Sequence, residues 1–220
     1  DLYSPGTQTP SWSLSQPRGL AYSGVDEILF VADTGYNRVV VYDVASITDG
    51  ENAVNVLGQN TFTASAQATT QGGLRLPQDL AYDPGASRLF VADTNNQRVM
   101  VFDVAAVTDG ENAANVLGQS LFTTQTSATT QSGLKTPGGL AHDPVTNRLY
   151  VGDTSNNRVM IFDVAAITDG ENAADLLGQF DESGNILYAR GGSNNGPNPR
   201  GFDSPSAVLV DTVGHRLFIT

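Results

Sequence analysis

The chain has 220 residues, 40% of them hydrophobic, which is long enough to bury a substantial core. Its formal net charge of −12 excludes a general polyanion binder, because affinity for nucleic acids depends on Lys and Arg displacing counterions from phosphates. The absence of cysteine excludes disulfides, thiol nucleophiles and Cys-ligated metals, and no apolar run approaches the ~20 residues that span a bilayer. We therefore expect neither nucleic-acid binding nor membrane insertion.

A tandem repeat organises the sequence. The fourteen-residue block that begins at Val31 returns 60 residues later at Val91, and again at Val151. A fixed period of this size indicates one supersecondary unit that must stack on its neighbours to bury its apolar face. Near-identity between the copies also extends through the turns.

Each repeat contains four short apolar stretches, strands a to d, separated by turn residues. In the second repeat they are Gln78–Tyr82, Arg88–Asp93, Arg98–Asp103 and Ala114–Leu117. This pattern predicts a four-stranded antiparallel meander. Such units at this period favour an all-β protein, a β-propeller, over a β-helix or leucine-rich repeats.

We place the blades at about 17–57, 77–117 and 137–177, with a partial blade of two strands at 205–220. The chain thus holds about three and a half blades of one propeller, either a partial ring or one completed by another chain. Residues 1–16 precede the first blade, and Asp1-Leu-Tyr3 resembles Asp175-Leu-Leu177, as a strand remnant of another blade would.

A long polar segment joins strand d of each blade to strand a of the next. Each of these d–a loops carries one apolar anchor three residues before a proline, at Leu14, Leu74, Leu134 and Phe202. Meander topology places these loops and the b–c turns at the same end of the blades. The most divergent loop, 178–204, offers a candidate binding face that includes Phe180, Tyr188, Arg190 and Phe202, although its aromatic residues could equally pack on their own blade.

The segments Asp33-Thr-Gly-Tyr-Asn-Arg-Val39, Asp93-Thr-Asn-Asn-Gln-Arg-Val99 and Asp153-Thr-Ser-Asn-Asn-Arg-Val159 resemble the signature of NHL-repeat β-propellers, although the units here are longer than usual. The resemblance implies a structural Asp–Arg pair across each b–c turn. The second copy has Gln97 where the others have Asn, with Asn96 beside it. The implied structural motif residues are Asp33, Asn37 and Arg38; Asp93, Asn96 and Arg98; and Asp153, Asn157 and Arg158. The outer arginines Arg88, Arg148 and Arg216 recur as well and predict further ion pairs.

Candidate channel residues come from strand a: Arg18, Gln78 and Asp79. Asp79 lacks a second carboxylate for paired acid–base chemistry. The two histidines, His142 and His215, are too few for a zinc site on this fold, and His142 is expected to pack as Tyr22 and Tyr82 do. The segment Asp49-Gly-Glu-Asn52 and its copies resemble calcium loops, but they lack the distal Glu, so capped turns are the better interpretation. We expect no cofactor, with Ca²⁺ as the weaker alternative.

NHL-type propellers include metal-dependent lyases, RNA- and protein-binding modules and extracellular sensors, so the resemblance leaves function open. Our first interpretation is a non-enzymatic scaffold, extracellular or on the cell surface, that binds a protein or ligand through the d–a loops. Its polar, lysine-poor composition fits that location, since Lys135 is the one lysine. The alternatives are a lyase- or lactonase-type metalloenzyme with ligands partly outside this segment, and a self-assembling protein that completes its open blade between chains.

Overall fold

The 60-residue repeats fold into successive antiparallel meanders. A computed structural model describes residues 13–192, 200–214 and 216–220, so Asp1-Leu-Tyr3 lies outside the described residues. The first sheet contains β1 (Pro17–Ser23), β2 (Ile28–Asp33), β3 (Arg38–Asp43) and β4 (Asn55–Leu57). The second contains β5 (Pro77–Asp83), β6 (Arg88–Asp93), β7 (Arg98–Asp103) and β8 (Asn115–Leu117). The third contains β9 (Pro137–Asp143), β10 (Arg148–Asp153), β11 (Arg158–Asp163) and β12 (Asp175–Leu177), and the fourth contains β13 (Val208–Asp211) and β14 (Arg216–Ile219).

This architecture confirms the predicted all-β fold of four-stranded antiparallel blades followed by a partial one. Strand a is longer than predicted at both ends, because Pro77 pairs with Asp93 and Asp83 pairs with Arg88. Strand d begins one residue later than predicted, at Asn115, where pairing with Val101 starts. The helical segments in the described ranges are three-residue 3₁₀ turns, which are too short to cross a bilayer.

Most of the hydrophobic core lies between neighbouring blades, as expected for units that cannot bury their own faces, and one small cluster lies within the first blade. One cluster joins the first and second sheets, a second joins the second and third, and a third joins β13 and β14 to the third sheet. The loop anchors Leu74 and Leu134 are fully buried in the first two clusters. Phe202 packs in the third cluster.

The prediction of an equivalent anchor at Leu14 was wrong, because its side chain is 40% exposed. The physical reason lies in what the other anchors touch. A Cβ on Gly58 would lie 2.6 Å from Leu74 Cδ1, and a Cβ on Gly118 would lie 2.7 Å from Leu134 Cδ1. Both leucines therefore pack against the end of the preceding strand d, and no strand d precedes Leu14 in the described part of the chain.

The inner strands β1, β5, β9 and β13 lie side by side. The ladders of β1, β5 and β9 with their neighbours shift register just after the initial proline, between Pro17 and Leu20 in β1. Gly19 occupies this irregularity in β1, where an added Cβ would lie 2.5 Å from Asp79 Cα. The missing side chain thus permits the close approach of two inner strands.

Candidate functional site

Three buried ion pairs lie at the b–c turns, one in each complete blade. Arg38, Arg98 and Arg158 have fully buried side chains, and each Nε donates to Oδ2 of the Asp five residues earlier at 2.7 Å. Burial raises the pKa of the Asp93 carboxyl to about 6, against the lowering effects of Arg98 and Asn96. The carboxyl is therefore mostly ionised at neutral pH and balances the charge of Arg98.

Each pair also holds the backbone of the d–a loops. Arg98 Nη2 donates to the carbonyls of Thr70 and Gly73 at 3.0 and 2.9 Å, and Nη1 donates to the carbonyl of Phe122 in the next loop. Asp93 Oδ1 accepts the amide of Arg75 at 2.6 Å. One ion pair thus fixes two successive d–a loops. These loops lie at the end of the blades that also carries the b–c turns, which we call the loop end.

The third blade repeats this arrangement, except that the Nη1 acceptor lies 30 residues after the arginine, where it lies 24 residues after it in the second blade. Arg158 Nη2 donates to the carbonyls of Thr130 and Gly133, both at 2.9 Å, and Nη1 donates to the carbonyl of Tyr188. Asp153 Oδ1 accepts the amide of Lys135 at 2.6 Å. In the first blade Asp33 accepts the amide of Ser15, also at 2.6 Å. The loop end is thus anchored in the same way in successive blades.

The predicted set Asn37, Asn96 and Asn157 combines two different positions of the repeat, and the structure separates them. Asn37, Gln97 and Asn157 adopt the left-handed conformation, with φ of 54, 56 and 53°. Each accepts a loop amide on its side-chain oxygen: from Leu76 at 2.9 Å, Thr136 at 2.7 Å and Ser204 at 2.8 Å, respectively. Gln97 therefore takes the place of Asn in its turn, and Asn96 does not.

Asn96 has a separate task, which it shares with Asn156, a residue that the sequence reasoning missed. Its Nδ2 donates to Asp93 Oδ2 and to the carbonyl of Ala68, both at 2.8 Å. Asn156 makes the same two bonds to Asp153 and Ala128. In the first blade Tyr36 stands at this position, with its ring 5.1 Å from Arg38 Cζ. The recurrence of Asn at positions 96 and 156 was the sequence signal that could have identified this role.

The candidate binding face on loop 178–204 is less open than its composition indicated. Tyr188 packs against the core between the second and third blades, and Phe202 packs against the third and fourth. Phe180 is half-buried, and Arg190 is exposed, with Nη1 donating to the carbonyl of Phe180 at 3.3 Å. Tyr188 and Phe202 thus pack on the blades, as the alternative interpretation of this loop expected, because their apolar rings cover blade edges that would otherwise face water.

A larger part of this end is formed by the two regular loops. Arg75 connects them: Nη1 donates to Gln125 Oε1 at 2.9 Å, and Nε donates to Gln67 Oε1 at 3.0 Å. Leu121 is 59% exposed on the second loop, whereas the neighbouring Phe122 packs into the core. Hydrogen bonds therefore connect the polar surface of the loop end, and the apolar side chain of Leu121 is exposed to solvent on it.

The predicted channel residues lie on the inner strands, which line a cavity of about 390 Å³. Asp79 lines this cavity, but its Oδ2 accepts the amide of Leu140 at 2.8 Å, and burial raises the pKa of its carboxyl. Arg18 is exposed and Gln78 is half-buried. Asp79 thus joins neighbouring inner strands and is not paired with a second channel carboxylate in the described ranges.

His142 packs on Phe90 with ring centroids 5.6 Å apart, as Tyr82 packs on Phe30 at 6.1 Å. Its Nδ1 lies 3.9 Å from Asp83 Oδ1. Burial lowers the pKa of His142, and the Asp83 charge opposes this shift. Among the described residues, no group of three or more His, Cys, Asp or Glu side chains is arranged to hold a metal ion.

The acidic c–d loops make contacts within and between blades. Glu111 Oε2 accepts the amide and hydroxyl of Thr108, which is a local cap. Asp109 Oδ1 reaches the preceding blade and accepts the amide of Val56 at 3.0 Å, and Asp169 does the same for Val116. The outer arginines differ: Arg88 pairs with Asp83 and Arg216 with Asp211, while Arg148 has no ion pair within the described part of the chain.

No protein-family model matches the chain. Among curated proteins it is similar to NHL repeat-containing protein 2 from Gallus gallus, with 28% identity over 163 residues, and to the protein of the same name from Bos taurus, with 28% identity over 167 residues. These matches cover 68% and 70% of this chain. The resemblance to NHL-repeat proteins is thereby confirmed. The chain spans about a fifth of the length of these relatives, 21% and 22%.

The NHL-type repeats also match solved propeller-like structures at low identity. One is Kuenenia stuttgartiensis hydrazine synthase, with a TM-score of 0.57 and 14% identity over 99% of this chain and 45% of that one. Another is a Bacteroides thetaiotaomicron protein of unknown function, with a TM-score of 0.58 and 16% identity over 93% and 44%. A nidogen/laminin complex gives a TM-score of 0.50 and 17% identity over 94% and 72%. These likenesses show the fold alone, and the NHL-type propeller fold supports a scaffold or binding role in general terms.

Proposed function

We propose that the chain is a non-enzymatic scaffold that binds a partner protein through the end of its blades formed by the d–a loops. The observation that carries this proposal is the set of buried ion pairs beneath that end. Arg98 holds three loop carbonyls and Asp93 holds a loop amide, so long polar loops are fixed in place. A fixed surface binds at lower entropic cost than a mobile one.

The surface chemistry of this end supports protein binding over small-molecule chemistry. Polar groups of Arg75 and Gln125 connect neighbouring loops, and Leu121 and Arg190 are exposed on d–a loops at the same end. Arginine combined with an exposed apolar side chain is typical of protein interfaces. The acidic side chain of the channel, Asp79, is engaged by a backbone amide, and no further observation favours a reaction there.

The test uses substitutions at both ends of the blades. Leu121→Asp and Arg190→Glu alter the loop end, whereas Val145→Asp and Val213→Asp alter a–b turns at the opposite end, where these valines are 68% and 91% exposed. Partners are captured by chemical cross-linking in an extract of the producing organism and quantified by mass spectrometry. We expect loop-end variants to lose a partner that the controls retain, and the reverse pattern would overturn the proposal.

We further propose that the protein acts outside the cell or at its surface, without a metal cofactor. The lysine-poor, acidic composition supports the location. Cleavage of the protein by a protease added to intact cells would be the expected result, and protection until lysis would contradict it. Metal analysis of the purified chain should find less than one equivalent, because the c–d carboxylates of Asp109 and Asp169 already cap backbone amides.

A further inference from the structure

A cleft of about 220 Å³ lies between the first and second blades, at the end opposite the d–a loops. Its walls are largely apolar and include Ile28, Phe30 and Val107. Asp26 and Tyr82 add polar groups to the lining. The corresponding place between the second and third blades shows what chemistry such a cleft accepts.

Between the second and third blades this position is filled by Arg88, which is the repeat equivalent of Ile28. Arg88 Nη2 donates to the carbonyl of Val164 at 2.7 Å and to Asp83 Oδ2 at 2.5 Å. Its guanidinium carbon lies 5.7 Å from the centre of the Phe90 ring. The guanidinium group therefore has three partners: a carbonyl, a carboxylate and an aromatic ring.

The first cleft retains a counterpart of each partner without the arginine. Phe30 is equivalent to Phe90, and Val104 is equivalent to Val164. The carbonyl of Val104 receives no hydrogen bond from the described residues, whereas that of Val164 receives one from Arg88. Isoleucine ends at Cδ1, where arginine continues into its guanidinium group, so Ile28 leaves the place of that group open.

The carboxylate of the first cleft comes from a different position of the repeat than Asp83. Ser23 replaces Asp83, and its hydroxyl donates to Oδ2 of Asp26 at 2.7 Å. The Tyr82 hydroxyl lies 3.4 Å from the same oxygen. Both contacts orient the Asp26 carboxylate at the rim of the cleft, and its Oδ1 accepts no hydrogen bond from the described part of the chain. Asp26 therefore supplies the first cleft with a carboxylate that can neutralise a guanidinium group.

We propose that this cleft binds an arginine side chain of a partner protein. The guanidinium lies over Phe30, donates to the Val104 carbonyl and pairs with Asp26, as Arg88 does with its own partners in the next cleft. The net charge of −12 attracts such a cationic partner from a distance. Lysine is a weaker occupant, because an ammonium group lacks the planar fork that serves both acceptors and the ring. This proposal is independent of the loop-end interface, since the two surfaces lie at opposite ends of the blades.

The test is a titration of the labelled 220-residue chain with a short capped Gly-Arg-Gly peptide, followed by NMR. Peptides with lysine or with neutral citrulline in place of arginine are the comparison ligands. The expected result is saturable shifts confined to the cleft, with at least tenfold weaker binding of the citrulline peptide. Equal binding of all three peptides, or shifts spread over the surface, would overturn the proposal.

The decisive variant is Ser23→Asp/Ile28→Arg, which copies the second repeat and leaves the net charge unchanged. It should fold at least as stably as the parent and weaken peptide binding at least tenfold, because its own arginine fills the cleft. Asp26→Asn should weaken binding, whereas Glu182→Gln, with the same change of charge on an exposed residue of loop 178–204, should not. Undiminished binding by the double variant would contradict the assignment, and so would a peptide-sensitive dimer in sedimentation, which would make a second copy the occupant.

Discussion

Arg98 Nε and Asp93 Oδ2 lie 2.7 Å apart in an ion pair whose two side chains are completely buried. This pair joins a b–c turn to two loops that lie far from it in sequence, through carbonyls of Thr70, Gly73 and Phe122. A single buried arginine thus holds the loops of the proposed binding surface against the core of the blade.

Removal of this arginine should be strongly destabilising. Arg98→Met removes the counter-charge of the buried Asp93 carboxylate and the donor to three loop carbonyls, and we expect a loss of about 3–5 kcal/mol in the free energy of unfolding. Arg190→Met, which changes an exposed arginine, should cost less than about 0.5 kcal/mol. Urea unfolding followed by fluorescence measures both. An Asp93→Asn/Arg98→Met variant whose loss equals the sum of the two single losses would contradict a coupled pair.

Asp109 should stabilise the junction between the first two blades. Its carboxylate accepts the Val56 amide and lies 3.2 Å from Asn55 Nδ2, so Asp109→Ala should cost about 1 kcal/mol. Asp49, its equivalent in the first blade, is the matched control and should cost less when replaced by Ala, because it has no such strand to cap in the described residues. Comparison of their denaturation midpoints checks this, and equal losses would refute the inter-blade role.

Gly19 should not tolerate a side chain. A Cβ would lie 2.5 Å from Asp79 Cα, which is backbone and cannot move aside, so Gly19→Ala should lose about 1–3 kcal/mol through overpacking. Gly24→Ala is the control, since its nearest neighbour would be a Tyr22 ring atom at 3.5 Å. Thermal unfolding of both variants distinguishes them, and equal midpoints would mean that the inner strands can separate without cost.

His142 should make stability depend on pH. Burial lowers its pKa in the folded state below the value near 6.5 of an unfolded chain. The unfolded state therefore binds more protons in the acidic range, and the contribution of His142 to stability falls as pH decreases from about 7 towards 5. His142→Tyr, which copies Tyr82, should flatten this part of the stability profile. An unchanged slope of unfolding free energy against pH would show that His142 does not titrate in this way.

The sequence was sufficient for the blades, because a 60-residue period repeats every strand and every turn in register. It was also sufficient to suggest the Asp–Arg pairs, since Arg and Asp recur together where strands reverse. It was insufficient to decide whether Asn96 or Gln97 takes the left-handed position of the second b–c turn. Two adjacent amide side chains offer the same chemistry, and the backbone conformation alone distinguishes them.

Contacts between blades were beyond sequence reasoning for a different reason. The Asp109 carboxylate caps an amide 53 residues away, and local sequence describes it equally well as a turn residue. The cleft beside Ile28 likewise depends on contacts in space, since Val104 and Tyr82 of the second blade line it together with Ile28 and Phe30 of the first. The exposed Leu14 shows the same limit, since its burial depends on a neighbouring strand and not on its own repeat.

The proposed binding surface requires that the buried ion pairs hold the d–a loops in place. Hydrogen exchange of individual amides tests it directly, because the Arg75 amide donates to Asp93 Oδ1 and the Ala68 amide donates to the carbonyl of Leu74. We predict that both amides exchange as slowly as those of strands β6 and β7, and that Arg98→Met accelerates their exchange well before it affects the strands. Exchange of these loop amides in the parent protein at the rate of an unstructured chain would contradict the account.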